Sequence, residues 1–501
     1  MINSIIKETG KDTLKYIPAK VGPAIVNFVG LLIFTHIFSA EDYGNYFILM
    51  TTITIMNIAS SNWLTNSILR FYAKCKLDNK LNEFFSTVAC SFVVCSITIV
   101  ALYLSGFFIF RSYLPKQLVP FLRIGIFSYL ALSTYLVLLF VLRASLKAAA
   151  FSGFEIISSI GKFLVALIFI FFFKQGAISL LWGILIVNLT LAFVISRRLS
   201  LFKYLKVNLF SPSISLDFLK YGFPLTFSSL SAWLLTQSDR YLLGYFKTAK
   251  DVGMYSVSFS VADRSLSLLY SILMLAAYPI MVQTWEEKGK EVTQKLIGEL
   301  SRYFFILCVP VFVGISILSK DIFTLLIGKN FHEGFGLVPL FAFCSVAQGL
   351  FQYVGKSFEL SKRTFLLAIA FFIAGLANVL LNILIIPSYG YMGAGIVKVI
   401  SYAILLILGM SLAYSFMPWL APLKSLAKIV LSAALMGVAL VFIKKVLATS
   451  VPSLIFLITA GAFIYFILLL LFKEIKKKEI DFVKSYYYKL TQSKSRLKNN
   501  E

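Results

Sequence analysis

Ala40-Glu41-Asp42-Tyr43-Gly44-Asn45-Tyr46 and Ala249-Lys250-Asp251-Val252-Gly253-Met254-Tyr255 share the pattern A-x-D-x-G-x-Y, 209 residues apart. Each sits in a short polar break between two long apolar runs. Two weaker matches keep the same order: Leu14-Lys15-Tyr16 with Leu219-Lys220-Tyr221, and Gly176-Ala177 with Gly393-Ala394. A repeat of this length points to a duplicated unit. The aspartate at its centre is expected to cap the helix that follows. The glycine two residues on removes a Cβ and lets another helix approach closely.

The runs around these motifs set the fold class. The 501-residue chain is 59% hydrophobic and 14% charged, with a mean hydropathy of +0.87. A soluble chain carries roughly a quarter charged residues. Apolar runs fall near 17–38, 43–69, 84–110, 117–142, 153–173, 177–196, 221–246, 252–282, 303–319, 335–360, 364–386, 391–415, 425–443 and 452–472. Each is long enough for a helix across the ~30 Å hydrocarbon core. None alternates with period two, so barrel strands are excluded. Six runs lie between the motif copies, an even number, so the copies have the same orientation. The expected fold is an all-α integral membrane protein of about fourteen transmembrane helices: two parallel six-helix repeats around a central cavity, plus two extra C-terminal helices. The expected division is 1–210 and 211–420 for the halves, 421–472 for the added helices and 473–501 for a basic tail. Gly22-Pro23 and Gly222-Phe223-Pro224, early in spans 1 and 7, are positions for kinks that open a cavity between the halves.

A net charge of +25 resembles that of a nucleic-acid binder. The basic residues are instead scattered over short breaks between apolar runs, so no nucleic-acid partner is expected. The connections on the side of the N-terminus carry about twice as many basic residues as the opposite ones, which places both termini in the cytoplasm. Residues 1–16 are polar and basic and the first apolar run is long enough to span, so no cleavable leader is expected. Trp285–Arg302 reads as a cytoplasmic amphipathic helix, and the tail from Lys473 as a solvated or membrane-surface anchor. Five cysteines and two histidines, in no metal spacing, give no metal site. There is no GxxxxGK[ST], GxSxG or HExxH motif, and no cofactor is expected.

Ionisable residues inside spans are costly and mark function or buried pairing. They are Lys20, Arg123, Lys162, Asp239, Arg240, Asp263, Arg264, Lys356, Glu359 and Lys398, with bases in the majority. Lys162 and Lys356 are read as snorkelling to the interface. Lys356 and Glu359 are also placed to pair at i,i+3. Asp239 lies twelve residues before Asp251 and Asp263 twelve after it, which suggests a common depth of about 18 Å at 1.5 Å per residue. Two readings of the Asp-Arg pairs stay open: an ion-pair cluster locking spans 7 and 8, or arginines facing a cavity with aspartates that orient them or couple an ion. Arginine suits phosphate through its planar fork of donors. Asn57, Asn62 and Asn66, with Asn378 and Asn382, suit either sugar hydroxyls or interhelical hydrogen bonds.

Ser39 to Tyr46, Ser238-Asp239-Arg240-Tyr241-Leu242-Leu243-Gly244-Tyr245-Phe246, Asp251 to Ser256 and Tyr389-Gly390-Tyr391-Met392-Gly393-Ala394 together resemble the Wzx-type polysaccharide-flippase branch of the MOP transporter superfamily. The resemblance implies a V-shaped pair of six-helix halves that moves undecaprenyl-pyrophosphate-linked oligosaccharide repeat units to the outer leaflet for O-antigen, capsule or exopolysaccharide synthesis. It implies a bacterial cytoplasmic-membrane transporter rather than an enzyme. Its partners would be lipid-linked oligosaccharide, membrane lipid, a glycan polymerase and a chain-length regulator. Arg240 is the position carried over from the family. Arg264, Lys398, Arg123 and Lys20 are added as cavity candidates from depth and charge, with Asp239 and Asp263 as coupling or ion-pair residues. Two rivals are a small-molecule, ion-coupled antiporter of the drug-exporting branch, which calls for an acidic cavity, and a membrane glycan polymerase or ligase, which calls for a large outward loop.

Overall fold

A computed structural model describes residues 17–204, 206–475 and 479, and among these there is no strand. The Leu14-Lys15-Tyr16 match, the basic N-terminal residues and the rest of the tail lie outside the described residues. The helices are α1 (Ile17–Ile37), α2 (Ala40–Leu77), α3 (Leu81–Phe110), α4 (Leu118–Ala144), α5 (Ala148–Phe171), α6 (Ser179–Arg198), α7 (Pro212–Phe246), α8 (Ala249–Ile317), α9 (Ser319–Leu326), α10 (Val338–Leu360), α11 (Thr364–Tyr414), α12 (Leu423–Val446) and α13 (Val451–Leu471).

Among the described residues, eleven segments are long and apolar enough to cross a membrane. Two of them are double. α8 is interrupted at Gly289 (φ 72°) and α11 at Gly390 (φ 55°), both in backbone regions open essentially to glycine alone. α7 has the length, 35 residues, but its Asp217, Lys220, Asp239 and Arg240 lower its hydropathy. With α8 and α11 each counted twice, the chain makes fourteen crossings, as expected. Pro23 and Pro224 both lie inside continuous helices, and the sharp breaks are at the two glycines. The amphipathic stretch 285–302 is no separate helix, because past Gly289 it runs directly into the ninth crossing. It docks on the loop after α11, where Gln294 Nε2 donates to the Pro418 carbonyl at 2.7 Å.

The repeat motif occupies one end of the molecule. Ser39 caps α2 by accepting from the Asp42 amide at 3.0 Å. Thr248 caps α8 by accepting from the Asp251 amide at 3.2 Å, while Asp251 accepts from the Thr248 amide at 3.1 Å. The caps are therefore the hydroxyl residues; Asp251 completes a capping box with Thr248, whereas Asp42 accepts from the Ser39 hydroxyl at 2.8 Å. The glycines meet across the two repeats. A Cβ on Gly44 would strike the carbonyl oxygen of Ala249, and one on Gly253 that of Ala40. Each glycine thus receives the first residue of the other copy, and α2 and α8 cross at backbone contact. This end is sealed further by a 3-10 segment, Lys329–Leu337. Gly328 beside it lies against the Thr35 carbonyl, and Phe331 meets Tyr43 edge-on at 6.0 Å.

Two seams join the first six crossings to the next six. Along α2 and α7, Ser67 donates to the Phe218 carbonyl (2.9 Å), Asn62 to Ser229 (2.8 Å) and Tyr241 to Thr52 (2.7 Å). Gly222 also lies against the Trp63 backbone. The α1–α8 seam is sparser, with Arg264 donating to the Asn27 carbonyl. The last two crossings attach to the second half. Tyr465 donates to the Ile306 carbonyl at 3.0 Å. Arg302, 1% exposed, pairs with Glu474 at 2.5 Å and Glu479 at 2.7 Å.

Candidate functional site

Between the two seams lies a cavity of about 460 Å³, walled by α1, α2, α4, α5 and α6 on one side and α7 and α8 on the other. Its ionisable lining residues are Lys162, Arg240, Arg264 and Asp263, three cations to one carboxylate. Asn27, Thr54, Ser159, Gln237 and Ser260 supply neutral polar groups, and aromatic and aliphatic side chains complete the wall.

Arg240 is buried and held on several sides. Its Nε donates to Ser256 Oγ at 3.0 Å and its Nη1 to Thr51 Oγ1 at 3.4 Å. Gln237, one turn earlier, accepts from the same Nη1. The guanidinium carbon lies 5.4 Å from the Phe47 ring and 5.9 Å from that of Phe259, within cation–π range. Arg264 reaches across to the backbone of α1. Asp263, beside it, accepts from Ser345 Oγ at 3.3 Å.

Asp239 points the other way. Neighbouring helical residues diverge by about 100°, so while Arg240 faces the cavity, Asp239 enters the interior of the second repeat. There it is fully buried, ion-paired with equally buried Lys398. It also accepts from Tyr255 Oη at 2.6 Å and Asn382 Nδ2 at 2.8 Å. Lys398 donates in turn to the Thr236 carbonyl at 3.0 Å. Two buried opposite charges with their remaining valences satisfied are the form in which charge is tolerated away from water.

The structure thus brings Arg240, Arg264 and Asp263 together in the cavity and sets Asp239 and Lys398 behind its wall. Arg123 and Lys20 are exposed and are not among the lining residues. Of the two open readings, the lock between spans 7 and 8 is made here by hydrogen bonds from Tyr255 to Asp239 and from Arg240 to Ser256, while the ion pair of Asp239 ties span 7 to Lys398 of span 12. The shared depth of the two Asp-Arg motifs is also corrected. α7 ends at Phe246 and α8 starts at Ala249, so Asp239 lies about 10 Å along its helix from the sealed end and Asp263 about 21 Å. Counting from Asp251 charged the turn and the first residues of α8 to the depth of Asp239. Lys162 lines the cavity rather than reaching the membrane interface. Its signal was its place near the middle of the 153–173 run, too deep for snorkelling. Four of the asparagines make ties between spans: Asn57 donates to Ser133 at 2.8 Å, Asn62 to Ser229, Asn378 to Ser401 at 3.2 Å and Asn382 to Asp239, whereas Asn66 donates to the Asn62 carbonyl one turn back. Lys356 and Glu359 pair at 2.7 Å. Among the described residues no cluster of metal-ligating side chains occurs.

The family whose description is "Polysaccharide biosynthesis protein" matches residues 9–285, more than half of the chain. The chain belongs to this family. Two relatives from Haloferax volcanii (strain DS2), a probable low-salt glycan biosynthesis flippase and a probable flippase, Agl15 and AglR, are each 24% identical to it. The first match covers 50% of this chain and 53% of the relative, the second 54% and 56%. The polysaccharide biosynthesis family member described here therefore spans about half the length of the curated relatives it matches. Its fold is that of the MOP transporters. The inward closed lipid II flippase MurJ superposes with a TM-score of 0.75 at 17% identity, covering 92% of this chain and 99% of that one. An inward-facing multidrug MATE transporter of the MOP superfamily gives 0.65 at 14%, covering 81% and 97%.

Proposed function

We propose that this family member is a flippase that carries lipid-linked oligosaccharide from the cytoplasmic to the outer leaflet by alternating access. The observation that carries the reading is the intramembrane cavity in which Lys162, Arg240 and Arg264 face a single carboxylate, Asp263. An excess of cations away from water is costly unless an anion arrives to share it. A pyrophosphate head group is such an anion, and guanidinium forks match its oxygens. Neutral polar groups on the same wall offer hydrogen bonds to the first sugar. The polyprenyl chain stays in the bilayer, because a cavity of about 460 Å³ has no room for it beside the head group.

The family description and the names of the relatives support glycan biosynthesis as the setting. The finer reading is ours: an undecaprenyl-pyrophosphate carrier, a repeat unit for O-antigen, capsule or exopolysaccharide, and a bacterial inner membrane with both termini cytoplasmic. It takes residues 1–210 and 211–420 as the moving halves, 421–472 as added spans and 473–501 as the tail. A glycan polymerase and a chain-length regulator would then act on the product. The sealed end is assigned to the outer face, because its connections carry fewer basic residues. The reading makes the protein a transporter and not an enzyme. Of the two aspartates, Asp263 is the one placed to couple an ion, since Asp239 is already paired with Lys398. A basic cavity argues against export of cationic drugs.

The test is deletion of the gene in its host, followed by leaflet-resolved analysis of lipid-linked intermediates. Complete single repeat units should accumulate on the cytoplasmic leaflet. They should clear on complementation with the wild-type chain but not with well-expressed Arg240→Ala. Units that reach the outer leaflet unpolymerised would point to a polymerase and end the flippase reading, and an unchanged glycan pool would point to small-molecule export.

A further inference from the structure

The anion-ligand reading of Arg240 has a structural consequence that concerns its neighbours and rests on that reading. The groups that hold the guanidinium come from both halves. Ser256, Gln237 and Phe259 belong to α7 and α8, and move with Arg240. Thr51 and Phe47 belong to α2, in the first repeat. The direction of the Thr51 bond is set locally. Its hydroxyl proton goes to the Phe47 carbonyl one turn back, at 2.9 Å. Its oxygen is therefore left as an acceptor, aimed at Arg240 Nη1. Phe47 and Thr51 lie about one and two turns along α2 from Gly44, the residue at which α2 and α8 meet at backbone contact. Any motion that parts the repeats at the sealed end carries α2 off Arg240.

We propose that Thr51 and Phe47 are positioning residues that make Arg240 a strong diphosphate ligand only while the sealed end is closed. With α2 in place, the fork is fixed by a hydrogen bond and a ring from each side, and little freedom is lost when it grips two phosphate oxygens. With α2 withdrawn, the arginine keeps its charge but loses the acceptor and the ring on one side. Affinity then falls in the state that must release the head group. The alternation of the halves thereby also alternates the strength of the site, without any of its cations leaving the cavity.

The experiment uses the full chain in nanodiscs and farnesyl diphosphate as the probe, with binding measured for wild type, Thr51→Val, Thr51→Ser, Arg240→Lys and the double variant Thr51→Val/Arg240→Lys. Valine keeps the shape of threonine and removes the acceptor. Thr51→Val should bind about five- to tenfold more weakly, the worth of one ordinary hydrogen bond, as befits a contact of 3.4 Å, and Thr51→Ser should bind as wild type does. Arg240→Lys should cost about tenfold in the wild-type background and close to nothing once Thr51 is valine, because lysine offers only a point charge to be positioned. A Thr51→Val protein that binds like wild type, or costs that simply multiply in the double variant, overturns the positioning role and leaves Arg240 as a ligand. Absence of probe binding by the wild type, or equal binding by wild type and Arg240→Lys, overturns the anion-ligand reading itself and this inference with it.

Discussion

Asp239 and Arg240 are adjacent in the chain, yet one is folded into the second repeat and the other faces the cavity. On the proposed reading this division separates structural from transport roles, and a substitution series can read it. Lys398→Met leaves Asp239 buried without a counter-ion, and breaking such a pair costs about 3–5 kcal/mol. The expected result is a sharply lowered melting temperature and poor yield from membranes. Asp239→Asn/Lys398→Met removes both charges and should recover most of that loss. Transport should return with stability if Lys398 acts only through its pair. A double variant that is stable but unable to flip would instead place Lys398 among the substrate's ligands. Residue types alone could not distinguish these roles. Depth and charge selected Lys398, the resemblance selected Arg240, and which face of α7 meets α11 is a property of packing rather than of the run in which the residue sits.

At the scale of elements, the crossing of α2 and α8 is where sequence and structure agree best. The A-x-D-x-G-x-Y copies were legible as a duplicated helix start, and their glycines are at the point of closest approach. The cap residues themselves, Ser39 and Thr248, stand three positions before the aspartates, outside the shared pattern, and differ between the copies, while Asp251 adds the expected bond from a backbone amide, that of Thr248. Helix continuity was less legible. Hydropathy shows where a span is apolar, but whether a polar linker is helical depends on a single φ at Gly289 or Gly390. Lys162 shows the same limit for the site: its depth could be read from the run, whereas the void it faces arises from the spacing of α1, α5 and α8. The crossing also carries a prediction. A methyl group at residue 253 meets the backbone oxygen of Ala40, and no rotamer can relieve that. Gly253→Ala should therefore hold α2 and α8 apart. In a cysteine-free background, a reporter cysteine at Gln237, which lines the cavity, should then be labelled from the outer side several-fold faster by a membrane-impermeant maleimide. Unchanged labelling with normal flipping would mean that the contact is ordinary packing and not a gate.

For the molecule as a whole, the two seams between the repeats are unequal, and that inequality has a mechanical meaning. The α2–α7 seam is tied at several depths by Ser67–Phe218, Asn62–Ser229 and Thr52–Tyr241, whereas Arg264 bridges α8 to a carbonyl of α1 from within the cavity itself. Each ordinary tie contributes roughly 1 kcal/mol, so separating the halves along α2–α7 forfeits several at once. Among the described residues, separating α1 from the second repeat breaks the Arg264 tie, made by a group that an incoming phosphate can claim, and at the sealed end the bond from the Gly328 amide to Thr35 Oγ1. Motion should then pivot about the part of the α2–α7 seam remote from the sealed end, at Ser67–Phe218 and Asn62–Ser229, while α2 leaves Arg240 near the sealed end and α1 parts from α8, leaving a slit through which a head group enters while its hydrocarbon tail remains in lipid. Paired cysteines put this to the test. Asn62→Cys/Ser229→Cys, whose native side chains touch at 2.8 Å, should form a disulfide that leaves flipping within about twofold of the reduced protein. Asn27→Cys/Ser260→Cys, joined by a short bismaleimide across α1 and α8, should abolish flipping until the linker is cleaved. The opposite pattern, with the first link inhibitory and the second tolerated, would place the pivot on the other seam and require the lipid to enter between α2 and α7.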